Sequence, residues 1–312
     1  MNELSRNPSV SVVITCYNQA RFLSEAIDSV LAQSYPHFEI IVVDDGSQDD
    51  PGRVASRYQK VRFISQNNQG VSAARNAGLH ESAGTYIVFL DADDRLLPTA
   101  LEVGVRSHQG NPSAAFVYGQ YRSIDVDGAP SHTTKQVRVN EDHYTALLRR
   151  NYIGLPGMVM HRREIFRSVG EWERSADHAG DWELYLRITK EFPIFCHHEP
   201  VVEYRQHGAN TSQNHALMLT RCLAVLRSQR PNLKGDRKLR AAYRKGVRTV
   251  QDAYGELVFE QMRAHMRAGG PEWHSAWQNL RVLLRFYPQS VVRHIFRKLS
   301  LLRQSGRPVG DS

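Results

Sequence analysis

Tyr86-Ile87-Val88-Phe89-Leu90-Asp91-Ala92-Asp93-Asp94 joins five β-prone hydrophobic residues directly to three carboxylates. A continuous apolar run of this length reads as a strand buried on both faces, as in a parallel sheet. Carboxylates at the mouth of a buried strand need a partner, because desolvating an unpaired charge is costly. A hard divalent cation, which takes oxygen ligands and bridges to phosphates, is the partner that fits. Asp91-Ala92-Asp93 therefore predicts a site for a metal-bound diphosphate. Solvated acidic loops carry the same tripeptide, so the argument turns on what surrounds it.

Upstream, Ser9–Thr15 reads as a strand and Tyr17-Asn18 as a turn. Phe22, Leu23, Ala26, Ile27, Val30 and Leu31 then recur at helical spacing within 20–33. Phe38–Val43 is a second strand that runs into Asp44-Asp45-Gly46-Ser47, and Val61–Ser65 is a third. A helix over Gly70–Ala83 precedes the Tyr86–Leu90 strand. Strands alternating with helices predict an α/β fold with a doubly wound, mostly parallel sheet. Such sheets bind ligands beyond the carboxyl ends of their strands. Thr15, Tyr17, Asp44, Asp45 and Asp91–Asp94 all fall at those ends. Further on, Ala114–Tyr121 and Ile124–Val139 read as strands around an Asp127-Gly128 turn. Leu155–His161 and Val201–His207 are two more strand candidates.

Four blocks in this order carry a family resemblance: Ser-Val-Val-Ile-Thr-Cys-Tyr-Asn from Ser11, Ile-Ile-Val-Val-Asp-Asp-Gly-Ser from Ile40, Asn-Gln-Gly-Val-Ser-Ala-Ala-Arg-Asn-Ala-Gly-Leu from Asn68, and Leu-Asp-Ala-Asp-Asp from Leu90. Together they resemble family 2 glycosyltransferases, closely from about Ser9 to Pro98 and more loosely to about Ser212. The resemblance implies a GT-A fold and inverting transfer from a nucleotide sugar, here a UDP-type donor, with Mn²⁺ or Mg²⁺ as cofactor. It implies a nucleobase pocket of Thr15, Tyr17 and Asp45, with Arg75, Asp91 and Ala92 also on the donor. Asp93 would hold the metal, with His207 as a second ligand and Arg205 as a weaker candidate nearby.

Ala179-Gly180-Asp181-Trp182-Glu183-Leu184 resembles the family's acidic-pair helix, which implies Asp181 as general base on the acceptor hydroxyl. Gly180 stands where the family has the first acid, so any acceptor contact made by that acid is in doubt. Gly170-Glu171-Trp172 matches a family loop that leads toward the base. Simpler readings stand beside these. Asp44 and Asp45 also suit a turn closed by Asx hydrogen bonds, and Asp94 suits a helix N-cap. Arg75 suits a solvated helix face, Asp181 a cap of the helix Trp182–Lys190, and Trp172 a core position instead of a sugar-stacking one. Glu183 reads as an ordinary helix surface residue, and His197-His198 as structural or exposed.

The chain has 312 residues and a net charge of +8. The charge is uneven: residues 216–312 hold 19 Lys and Arg against 6 Asp and Glu. The expected layout is a GT-A domain over 1–215, with a nucleotide-sugar half to about 110 and an acceptor half beyond it. A basic, mostly helical region follows over 216–312. Segments with helical periodicity there pair aromatic and aliphatic residues with arginines, including Arg293, Arg297 and Lys298. They suit an anchor on anionic lipid, or else helices whose apolar faces pack inward. Three cysteines without C-x-x-C spacing, a polar start and no long apolar stretch suggest a cytoplasmic enzyme, peripheral at the inner face of the membrane.

The expected partners are a nucleotide-sugar donor, a glycan or lipid-linked acceptor and the anionic membrane surface, with no nucleic acid. No G-x-G-x-x-G follows the first strand and no P-loop is present, which disfavours a dinucleotide or P-loop enzyme. The Gln-x-x-Arg-Trp motif of processive synthases is also missing, which favours single additions. A non-catalytic basic module is the remaining alternative, marked by salt-dependent, metal-independent binding.

Overall fold

The computed structural model describes residues 9–133, 139, 142–208, 210–268 and 270–289. The chain divides into two compact units, Met1–Asn210 and Thr211–Ser312. The first begins with β1 (Val10–Cys16), α1 (Ala20–Leu31), β2 (Phe38–Asp44), α2 (Pro51–Ala55), β3 (Val61–Ser65), α3 (Val71–Glu81) and β4 (Tyr86–Asp91). It continues through β5 (Arg95–Leu96), α4 (Ala100–Gly110), β6 (Phe116–Ile124), β7 (Pro130–Thr133), α5 (His143–Arg149), β8 (Val159–Arg162), α6 (Ile165–Val169), α7 (Gly180–Thr189) and β9 (Phe195–Arg205).

Among the described residues these strands form one nine-stranded mixed sheet in the order β3-β2-β1-β4-β8-β6-β9-β5, with β7 on β6. The parallel part, β3-β2-β1-β4, is the alternating pattern legible in the sequence. All of β1 is buried, and so are the first five residues of β4. That burial on both faces is why the strands read as unbroken hydrophobic runs. Gly78 lets α3 press onto β1: a Cβ there would lie 2.2 Å from Val13 Cγ1. Because the four strands are parallel and in register, their carboxyl ends share one edge, with Thr15 beside Asp91 and Cys16 beside Asp44.

Beyond β4 the sheet turns antiparallel through β8, and β9 runs parallel to β6. The strand expected over Ala114–Tyr121 extends to Ile124, and the turn at Asp127-Gly128 is closed by Asp125 Oδ1, which accepts the Asp127 and Ala129 N–H groups. The expected run on to Val139 passes through 134–138, outside the described residues. Leu155–His161 is a strand only from Val159, because Pro156–Met158 form a 3₁₀ turn. The two-residue β5 has no sequence signal of its own and exists through its pairing with β9.

The second unit holds α8 (His215–Ser228), α9 (Arg237–Ala268) and α10 (Glu272–Phe286). α10 folds back along α9, with Gln251 Nε2 donating to the Phe286 carbonyl and Tyr287 Oη donating to Asp252 Oδ1, each at 2.6 Å. Gly255 makes room for the Tyr287 ring, since a Cβ would lie 2.2 Å from it. Among the described residues no helix is long and apolar enough to cross a membrane. The tail cations Arg293, Arg297 and Lys298 lie outside the described residues.

The core of the first unit contains two histidines that should register in its acid stability. His161 is fully buried among Phe89, Phe116, Phe166 and Tyr185, and neither ring nitrogen has a hydrogen-bond partner. Burial pulls its pKa down to about 3, and that of His108, stacked on Tyr86, to about 4. Both are neutral when folded and take up protons near pH 6.5 when unfolded. Their neutral state therefore stabilises the fold above pH 6.5, and that contribution is lost as pH falls toward 3–4. Each such proton steepens the loss by up to about 1.4 kcal/mol per pH unit. Urea unfolding between pH 7 and 4.5 should show wild-type stability falling more steeply than that of His161→Phe.

Candidate active site

The carboxyl-end edge of the sheet gathers most of the expected residues. Thr15 Oγ1 donates to Asp91 Oδ1 at 3.2 Å, and Arg75 Nη2 reaches the same oxygen at 2.9 Å. Arg75 is buried, and its guanidinium lies 4.5 Å over the ring of Trp172. It is therefore not a solvated helix residue. Its charge is shared between an acid on one side and an aromatic face on the other. Ala92 is buried, and its N–H donates to the Thr15 carbonyl at 3.0 Å, carrying the strand pairing one step past Asp91. Tyr17 is 50 % exposed, leaving its ring open to a planar ligand.

Asp44 and Asp45 part company. Asp44 follows the turn reading: Oδ1 accepts the Ser47 N–H at 2.9 Å, and Oδ2 accepts Ser65 Oγ at 3.1 Å. Asp45 makes no Asx bond to its own turn but reaches across to the segment between β3 and α3. Oδ1 accepts Gln66 Nε2 at 2.7 Å and the Gln69 N–H at 2.9 Å, and Oδ2 accepts the Gly70 N–H at 2.9 Å. A carboxylate has about four lone-pair sites, so one remains open for a ligand donor.

Asp93 faces His207, with Oδ2 2.9 Å from Nε2. Burial pushes the Asp93 carboxyl above the ordinary range and the charge of Asp91 adds to this, while the His207 hydrogen bond opposes it. Asp94 is neither a helix cap nor a partner of this pair. The N-cap of α4 is Thr99, and Asp94 Oδ1 accepts the Arg205 N–H at 3.0 Å, closing the acidic loop onto the end of β9. Arg205 is fully buried and gives its other donors to the Asp93 carbonyl (Nε, 2.9 Å), the Val126 carbonyl (Nη1, 2.9 Å) and Glu25 Oε2 (Nη2, 2.7 Å). It holds the loop, with Nε, Nη1 and Nη2 each bonded within the protein.

Among the described residues no group of three or more His, Cys, Asp or Glu is arranged to hold a metal ion by itself. Asp93 and His207 nevertheless fit a cation shared with a substrate. Neighbouring donors on an octahedral ion at about 2.1 Å lie about 3 Å apart, and Mg²⁺-type ions fill their other positions with waters and phosphate oxygens. The 2.9 Å separation of Asp93 Oδ2 and His207 Nε2 matches that spacing.

Asp181 lies in the first turn of α7, one residue after the helix begins, so it is not the N-cap, which is Ala179. Its Oδ2 accepts Asn151 Nδ2 at 3.2 Å. Burial raises the Asp181 carboxyl above its ordinary range, opposed by the Trp182 N–H, the charge of Arg75 and the Asn151 hydrogen bond. A carboxylate whose pKa is raised in this way is a stronger base than one in water. Gly180 is packed tightly, since a Cβ there would meet Ser72 Oγ at 3.1 Å. Glu183 is tied up by Arg187 at 2.6 Å. Trp172 is 2 % exposed and meets Phe89 edge to face, so it is a core residue and stacks on no sugar.

Sequence reasoning missed what holds the segment that leads to Asp181. The segment from Trp172 to Gly180 is sewn onto α3. The Asn76 amide pairs with both the N–H and the carbonyl of Trp172, each at 2.9 Å, and Arg174 Nη1 donates to Gln69 Oε1 at 3.2 Å. α3 starts at Gly70 (φ +92°), which has no side chain to cap it, and Asp177 Oδ1 supplies the cap by accepting the Ser72 N–H at 2.9 Å. Asp49 does the same for α1 through the Ala20 N–H at 2.8 Å.

Residues 11–170 match the description "Glycosyl transferase family 2". The chain belongs to this family. Among similar proteins, an uncharacterized glycosyltransferase of Rickettsia prowazekii is 30 % identical over 215 residues, which is 66 % of each chain. The chondroitin synthase of Escherichia coli is 30 % identical over 219 residues, covering 67 % of this chain but only 30 % of the synthase. Residues 1–349 of S. aureus TarS, solved in complex with UDP, share the fold: TM-score 0.57 at 15 % identity, over 91 % of this chain and 82 % of that one. In this family 2 glycosyltransferase the GT-A fold expected from the sequence is present, and the strand ends and α3 form the common edge of the site.

The remote cap is testable. Asp177→Ala should lower the unfolding free energy by roughly 1 kcal/mol, the usual worth of a cap. Asp177→Asn, which keeps an acceptor oxygen, should lose less. Urea titration of the two variants against wild type measures both.

Proposed function

We propose that this chain is an inverting glycosyltransferase that moves a sugar from a nucleotide-sugar donor, UDP-linked, to a hydroxyl of a glycan or lipid-linked acceptor in cell-surface polysaccharide synthesis. One observation carries the reading. A desolvated carboxylate, Asp181, is held on a segment sewn to α3, the same helix whose Arg75 grips Asp91 at the strand ends. That arrangement would fix a base relative to a donor bound at the strand ends, as direct displacement requires. The acceptor hydroxyl gives its proton to Asp181 as its oxygen bonds to the anomeric carbon, and the bond from that carbon to the diphosphate breaks on the opposite face.

Tyr17 would lie against the nucleobase, and the open lone pair of Asp45 would accept its ring N–H. Thr15 lines the same pocket through its bond to Asp91. Arg75 would neutralise Asp91 beside the anionic donor, and the Ala92 backbone lies against the ribose. Asp93 and His207 would hold a Mn²⁺ or Mg²⁺ ion, which when bound supplies positive charge to the departing diphosphate. The UDP complex of the TarS fragment supports a uridine donor, and the name of the chondroitin synthase supports a polysaccharide product. We place the enzyme at the cytoplasmic face of the membrane, in contact with anionic lipid through its basic C-terminal region.

Calorimetric titration with UDP, GDP and dTDP, each with Mn²⁺, Mg²⁺ or EDTA, tests the donor site. Metal-dependent binding of UDP, abolished in Asp93→Ala, is the expected result; equal, metal-independent binding of all three would sink it. For the base, Asp181→Asn should cut transfer by about 10²–10⁴-fold and leave UDP affinity unchanged. Because burial raises the Asp181 pKa and the ionised form is the active one, the acid limb of kcat should lie above the ordinary carboxylate range. An acid limb identical in Asp181→Asn would assign it to another group.

A further inference from the structure

The second unit carries one face that its own packing leaves uncovered. On α10 the residues Ala276, Leu283 and Phe286 are buried. Trp273, Trp277 and Leu284 are 45 %, 57 % and 54 % exposed. With Leu280 they stand at i, i+4, i+7 and i+11, one continuous stripe along the helix. Two exposed tryptophans and a leucine in register are more than scattered surface apolar residues. Arg281 and Arg285, both exposed, border the stripe on one side together with His274. The only acid on α10 is Glu272, in its first turn.

We propose that this stripe is the surface through which the chain lies on an anionic lipid bilayer. Trp273, Trp277, Leu280 and Leu284 enter the interface, and Arg281 and Arg285 meet lipid phosphates. The inference deepens the membrane contact proposed above and rests on it, because it names the residues that make the contact. Indole rings have an apolar body and a polar N–H, which suits the headgroup boundary. An amphipathic helix with arginines beside such a face binds by buried apolar area together with attraction to anionic lipid. Charge selects this occupant. A second copy would offer the same stripe and the same arginines, with Glu272 the only acid on α10 to meet them. The chain's own tail is cationic as well, with Arg293, Arg297, Lys298 and Arg303.

The test uses the full chain and vesicles of phosphatidylcholine with and without phosphatidylglycerol. Of the four tryptophans, Trp172 and Trp182 are already buried at 2 % exposure. A blue shift on adding vesicles, or quenching by lipid-borne quenchers, therefore reports Trp273 and Trp277. Wild type should sediment with the anionic vesicles, and not the neutral ones, with a blue shift. The variant Trp273→Ser/Trp277→Ser/Leu284→Ser, altered only at exposed positions, should weaken sedimentation about tenfold or more, as should Arg281→Glu/Arg285→Glu. UDP titration of each variant should match wild type and serves as the control for folding.

Absence of wild-type binding would overturn the membrane contact altogether. Binding that survives both α10 variants but is lost in Arg293→Glu/Arg297→Glu/Lys298→Glu would overturn this surface and keep the membrane contact. A wild-type dimer in sedimentation equilibrium that the triple variant dissolves would give the face to a second copy and overturn the proposal.

Discussion

Arg75 places one positive charge where the acidic edge of the sheet needs it. The guanidinium donates to Asp91, which Thr15 also serves, and it rests on the face of Trp172. Its charge also opposes the upward shift of Asp181. Removing it would take away the cation paired with Asp91 and the positive charge that opposes the upward shift of Asp181. A buried ion pair is only weakly stabilising by itself, since desolvation offsets most of the attraction. What it contributes is geometry: Asp91 at the strand ends and Asp181 in α7 both feel one side chain on one helix.

A second cation organises the other end of the acidic loop. Arg205 returns from β9 to take the Asp93 carbonyl, the Val126 carbonyl and Glu25, while its N–H goes to Asp94. Arg95 extends the network from β5, pairing Glu203 at 2.8 Å and Glu25 at 3.1 Å. The fully buried Arg205 therefore has a partner for each of its terminal nitrogens, which is the condition for keeping a charge inside a fold. The loop is pinned at Asp91 by Arg75 and at Asp94 by Arg205. Asp93 lies between the two pins, facing His207.

The parallel half of the sheet was legible because its signals are local: apolar runs of strand length, helical spacing between them, and acids at the strand ends. The identities of Thr15, Arg75, Asp91, Asp93 and His207 as neighbours followed from strand order and family motifs, and Thr15 with Asp91 and Asp93 with His207 do meet. What the sequence left open or missed has a different cause. Asp94 looked like a cap because caps are usually near in sequence, but its partner Arg205 comes from β9. Of the two readings open for Trp172 the core one holds, through Arg75 and Phe89, which enclose it and which nothing local in the sequence announces. Asp177 and Asn151 carried no signal, since each acts on a residue far away along the chain, and β5 exists only through β9. Helix periodicity announced α10, but only packing against α9 decides which of its faces stays outside.

The seam between α3 and the base segment has a functional consequence. Asp45, proposed above to face the nucleobase, holds the N–H groups of Gln69 and Gly70, and Gly70 is the N-cap of α3. Asp177 caps that same helix start, four residues before Asp181. A ligand that draws on the open lone pair of Asp45 therefore pulls on a carboxylate already bonded to the turn where the base segment is attached. The backbone there has little slack: a Cβ on Gly70 would stand 2.3 Å from Asp177 Oδ2, and one on Gly180 would crowd Ser72. Glycine at both positions is what allows the two sides to close on each other. Gly180, standing where the family carries an acid, leaves little room in this chain: a Cβ there would meet Ser72 Oγ at 3.1 Å, so that hydroxyl would have to give way by a few tenths of an ångström.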